Sequence, residues 1–112
     1  MFKSIEYVRY DYKTKSNIYK LIDTEFECEV GVTGSYLVVI ISEYKKRNYP
    51  HQDIVKNLFR YILYLCNKFD ISFEEELHYH NTYIDMFFND LNFSKLYYQD
   101  IKDMWDKHKV FV

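Results

Sequence analysis

The sequence predicts an α+β fold: a small antiparallel sheet of three or four strands from the N-terminal half, packed against three α-helices from the C-terminal half. Two observations point there. Up to residue 44 the apolar residues alternate with polar ones, or run together in short stretches bounded by turn residues. After Pro50 they recur at the three- and four-residue spacing of a helix with one buried face. At 112 residues the chain has the length of one domain, because two independent cores would each be too small to bury enough surface.

The stretch "SIEYVRYDY", rich in Tyr and Val, reads as the first strand, and "KTKSN" after it as a turn. Residues 17–22, "NIYKLI", fit a short strand and a helical turn equally well. In "TEFECEVGV" the alternation is strict, with Phe26, Cys28, Val30 and Val32 on one side and Glu25, Glu27 and Glu29 on the other. Thr33–Ser35, "TGS", then signals a hairpin that returns as the strand "YLVVIISEY". That strand is apolar on both faces, so the glutamate face beside it is expected to be partly covered, by helices or by a partner.

Pro50 suits the first position of a helix over about 51–68, whose apolar residues include Ile54, Leu58, Tyr61, Ile62 and Leu65. No polar residue falls between Tyr61 and Cys66, which predicts a central helix covered on most sides. Two more helices follow over about 73–91 and 95–108. The last sets Tyr97, Ile101, Met104 and Trp105 on one face and ends with Lys107 and Lys109 at the negative end of its dipole.

Composition narrows the function classes. The chain holds 13 Tyr and 9 Phe but only 2 Gly, 1 Pro and no Ala, a usage that favours AT-rich codons and points to an AT-rich genome such as that of a phage or mobile element. An interior built without Ala is filled by large side chains, and 21% aromatic residues exceed what so small a core hides, so some rings are expected at the surface or at an interface. The net charge is −2, with the acidic excess in the second half, which is the wrong balance for a dedicated nucleic-acid binder. Cys28 and Cys66 have no metal-ligand or redox spacing and read as reduced thiols. No run approaches the roughly 18 apolar residues of a membrane span, so the expected setting is cytoplasmic, without a membrane partner.

The densest chemistry lies in "SFEEELHYH", residues 72–80. Ser72 and Glu75 form an S-x-x-E capping box, and Glu74 and Glu76 complete an acidic first turn favoured by the helix dipole. His78 and His80 are about 200° apart around a helix and cannot share a metal. His80 is expected to face the core beside the stripe of Leu77, Ile84 and Leu91, and His78 to face solvent with Glu75, Thr82, Asp85 and Asn89. A metal-dependent enzyme built on Glu75, His78 and Asp85 needs a second E-x-x-H motif, which the chain lacks. No metal or cofactor is expected.

Three surfaces remain as binding candidates. Glu25, Glu27 and Glu29 would space carboxylates roughly 7 Å apart along one strand face, resembling the phosphates of a nucleic-acid strand. Asp100, Asp103 and Asp106 form a second acidic cluster on the last helix. The opposing feature is "YKKRNY", in which Tyr44, Lys45, Lys46, Arg47 and Tyr49 could meet phosphates or stack on bases. The leading expectation is therefore a non-enzymatic protein-binding module, an inhibitor or immunity-type antagonist of a partner such as a basic nuclease or toxin, or a self-associating homodimer. The alternatives are a small nucleic-acid-binding protein using residues 45–47 and the metal-dependent enzyme.

Overall fold

The structure, a computed structural model, describes residues 1–88 and 94–110. Three strands, β1 (Phe2–Asp11), β2 (Ser16–Asp23) and β3 (Glu27–Val32), form an antiparallel meander in the order β1-β2-β3. Residues 17–22 thus take the central strand. They can do so because Tyr19 and Leu21 face the core side while Lys20 faces out, opposite Glu6 on β1 and Glu29 on β3. Register shifts interrupt β1 between Phe2 and Ser4 and between Tyr7 and Arg9. On the outer face, Gly31 leaves space that Ile18 occupies: a Cβ there would lie 3.2 Å from Ser16 Oγ and 3.6 Å from Ile18 Cδ1.

The expected return strand is a helix. α1 runs from Tyr36 to Lys46 and places Leu37, Ile40 and Tyr44 against the sheet, each fully buried. As a strand, Leu37 and Ile40 would point to opposite faces. As a helix all three share one face, at about 1.5–3 kcal/mol per buried side chain, and this outweighs β-propensity differences that span about 1 kcal/mol. The "TGS" signal misleads because a two-residue hairpin turn needs positive φ, and neither glycine adopts it. Left-handed backbone falls instead on Lys15, Asn48 and Asp70, at φ 54°, 62° and 55°. Among the described residues there is no fourth strand and β3 pairs with β2 alone, and the outer face bearing Glu27 and Glu29 is exposed rather than partly covered.

α2 (His51–Phe69) is the central helix and packs on β1, α1, α3 and α4. Pro50 sits at its N-cap, one residue earlier than expected. Inside α2, buried Asn57 accepts a 2.7 Å hydrogen bond from the Phe2 N–H and donates to the Asp53 carbonyl, so the start of β1 is fixed to the helix layer. Tyr64 does the same further along, donating to the Ile5 carbonyl at 3.2 Å.

α3 (Phe73–Phe88) begins with the serine half of the expected capping box, Ser72 Oγ accepting from the Glu75 N–H at 3.2 Å. The expected extension to Leu91 lies outside the described residues. A π-helical turn, Ser94–Tyr98, leads into α4 (Gln99–Val110). There Ile101 is buried, and Trp105 stacks on Phe73 at 4.5 Å and donates to Glu74 at 2.7 Å. Among the described residues no helix is long and apolar enough to cross a membrane.

A candidate ligand pocket

Where the inner face of the sheet meets the helices, a cavity of about 330 Å³ opens between β1, β2, α1, α2 and α3. Ile5 and Tyr19 form its floor, and Gly34, Ser35 and Tyr36 bring the N-terminus of α1 to its edge. Tyr61, Tyr64, Leu65, Lys68 and Phe69 come from α2, and Glu76, Tyr79, His80 and Tyr83 from α3. The tyrosines of this wall are linked. Tyr19 and Tyr36 share a 3.0 Å hydroxyl–hydroxyl hydrogen bond, and Tyr79 lies nearly parallel to Tyr83; outside the wall, Tyr7 packs edge-on against Tyr19. Bonding to Tyr36, followed by burial, pushes the Tyr19 phenol up to about 12.

Two polar atoms in the wall lack hydrogen-bond partners. Ser35 is 96% buried by its 4% exposure, occupies the N-cap of α1, and makes no capping bond to the helix; its Oγ bonds nothing. The first turn of α1 carries no acidic residue, so no side chain of its own turn offsets the positive end of its dipole at the cavity. His80 Nε2 lies 2.9 Å from Glu76 Oε1, within ion-pair range, but the carboxylate is off the axis of the ring N–H. Burial lowers the His80 pKa against the opposing pull of Glu76 and so favours neutral imidazole. A buried polar group left unbonded costs about 1–3 kcal/mol, so Ser35 Oγ marks the pocket as a place where a bonded guest would be stabilised. Ser35 Oγ and His80 both line the cavity but do not bond each other.

The acidic residues singled out in the sequence lie elsewhere, and each meets a local partner. Glu25 precedes β3 and accepts from Tyr49 Oη at 2.9 Å. Glu27 and Glu29 alternate outward as expected, but Lys20 approaches Glu27 at 3.6 Å and Arg9 approaches Glu29 at 3.7 Å. On α4, Asp100 bonds His51, Asp103 accepts from Gln99 and Asp106 pairs with Lys109. β3 packs on β2 and α1, whereas α4 packs on α2 and α3, so the two acidic groups belong to different parts of the molecule.

The basic loop is mostly helix. Tyr44 is fully buried and has no ring face to offer a base. Arg47 forms a 2.6 Å ion pair with Glu43 and lies 3.9 Å over the Phe26 ring. Lys45 and Lys46 are exposed in the last turn of α1. Glu75 and His78 are exposed on α3, the side chain of Asp85 lies outside those described, and among the described residues no three potential metal ligands converge.

His80 faces inward as the helical stripe requires, at 5% exposure. Ser35 carried no signal, because its role depends on a helix start where a hairpin was expected. The Glu76–His80 pair was legible as an E-x-x-x-H spacing, which puts both on one helix face. No protein-family model matches the chain, and neither curated proteins nor solved structures give a significant match.

Proposed function

We propose that the chain is a non-enzymatic binding module that blocks a protein partner presenting an extended basic segment, as a nuclease or toxin would, through the far end of the β1–β2 hairpin and the adjoining outer face of the sheet. The observation carrying this reading is the exposure at that end: Tyr7, Val8, Tyr10 and Tyr12 are 58%, 44%, 40% and 84% exposed. Tyrosine provides rigid contact area at low entropic cost together with a polar tip. Past Phe2 and Ile5, whose backbone groups bond α2, β1 is also an edge strand open to pairing. The neighbouring outer face carries Glu6, Glu27 and Glu29 against Lys20 and Arg9, an acidic excess of one on that face that favours a basic segment there, while the turn itself adds exposed Lys13 and Lys15 beside Asp11. Asp100, Asp103 and Asp106, each bonded within the helical layer, have no part in this surface.

The test is to express the tagged chain in its own host, purify it gently and identify bound chains by native mass spectrometry. Two matched variants accompany it: Tyr7, Tyr10 and Tyr12 replaced together by Ser, and Glu27→Lys with Glu29→Lys. A stoichiometric basic protein that is lost from both variants supports the proposal. A partner retained equally by both, a second copy of the chain, or no partner at all overturns it. The glutamate pair should leave stability within about 1 kcal/mol, since exposed ion pairs contribute little.

A further inference from the structure

We propose that the pocket between the sheet, the start of α1 and α3 binds a planar neutral heterocycle of the nucleobase or nucleoside class. Its wall carries charge of both signs, so an ion of either sign meets a repelling group as well as an attracting one and gains nothing over a neutral guest. A ligand carboxylate or phosphate would meet the half-enclosed carboxylate of Glu76, whose side chain is 14% exposed. A cation would meet the positive end of α1 and the Lys68 ammonium at the rim. The wall offers donors at Ser35 and the α1 terminus, and an acceptor at Glu76. A guest fits when it is uncharged and carries acceptor and donor groups on neighbouring edges, as nucleobases do.

The remaining wall is aromatic, and stacking on such rings is how proteins hold single bases. Tyr79 is 60% exposed and stacks beside Tyr83, so its outer position gives an entering ring a face to slide against. A volume of about 330 Å³ is at the lower end of small-molecule sites, which run from about 300 to 1,000 Å³. It therefore suits a single base or nucleoside.

Adenosine, guanosine, cytidine and uridine are titrated separately into the full chain by calorimetry, beside 3-hydroxybenzoate and tyramine as aromatic ions. At least one nucleoside should saturate, and the two ions should bind at least tenfold more weakly. Ser35→Ala and Glu76→Gln should each weaken the nucleoside tenfold or more. Tyr79→Ser, at an exposed position where folding is undisturbed, should also weaken it, and Lys102→Ser, exposed on α4 and outside the pocket, should not. A short oligonucleotide of the same base distinguishes the source: tighter binding that falls with salt assigns the base to a strand, and equal or weaker binding assigns it to a free nucleoside. No saturation by any nucleoside, equal binding of either ion, or affinity unchanged in the Ser35, Glu76 and Tyr79 variants overturns the proposal.

Discussion

Tyr44 Oη donates a 2.6 Å hydrogen bond to Asp23 Oδ2, joining the innermost residue of α1 to the last residue of β2, and both side chains are fully buried. Asp23 also accepts from the Met1 ammonium and the Glu25 N–H. Tyr44→Phe keeps the ring and removes the donor, so it should cost about 1–3 kcal/mol, read as a lower urea midpoint at unchanged slope. A loss under about 0.5 kcal/mol would show that the bond does little.

Burial alone would raise the Asp23 pKa, but these hydrogen bonds hold it below its ordinary value of 3.8. The stabilisation is complete above pH 3.8 and is lost as pH falls through the lower folded value. Asp23→Asn should therefore be less stable at pH 6 and lose less on acidification to pH 2. Urea midpoints at both pH values for the two proteins check this.

His80 behaves differently, because burial lowers its pKa below 6.5 despite Glu76 alongside. Above pH 6.5 the imidazole is neutral in both folded and unfolded chains. Below it, the unfolded chain takes up a proton that the buried ring resists, so stability falls from pH 6.5 toward the folded value. The thermal midpoint should drop between pH 7.5 and 5.5, and by less in His80→Gln; identical slopes would assign the effect to other groups.

At the alkaline end, Tyr19 and Tyr49 are both raised to about 12, Tyr19 mainly by its bond to Tyr36 and Tyr49 mainly by burial, with Glu25 adding to it. A raised phenol contributes stability below its ordinary pKa of 10 that is lost as pH rises toward 12. Titration at 295 nm should show a late ionising fraction, and Tyr19→Phe should reduce it by one phenol. An unchanged late fraction would disprove the assignment.

Asp70 closes α2 with φ 55° and ψ 54°, its N–H bonded to the Cys66 carbonyl. This is the position where helices most often use glycine, because a side chain in left-handed backbone costs about 1–2 kcal/mol. Allowing for the entropy glycine adds to the unfolded chain, Asp70→Gly should gain about 0.5–1 kcal/mol, measured by chemical denaturation. A loss would mean that the carboxylate makes a compensating contact.

Much of the fold was legible in residues whose signal is local. The capping serine Ser72, the inward His80, the alternation of Cys28, Val30 and Val32, and the helical stripe through Ile54, Leu58 and Ile62 all follow from spacing. The mistaken strand at Tyr36–Tyr44 is where spacing is silent: in an unbroken run of large apolar residues every period fits, and only the partner surface decides. That error hid the pocket, since Ser35 and the α1 terminus exist as a site only if the helix starts there. The acidic residues were read from spacing alone, which cannot show that Tyr49, Lys20, Arg9, His51, Gln99 and Lys109 sit beside them.

The three left-handed residues tie the backbone to the genetic code. Glycine, the usual occupant of such turns, is written in GC-rich codons and occurs twice in the chain, at positions that do not need positive φ. Lys15, Asn48 and Asp70 fill the turns instead. Lysine and asparagine codons are almost wholly A and T, and aspartate differs from asparagine by a single base. The cost of left-handed backbone thus falls on side-chain-bearing residues at three positions among the described residues, and at Asp70 relief lies one base change away, since a single A-to-G transition turns an aspartate codon into a glycine codon.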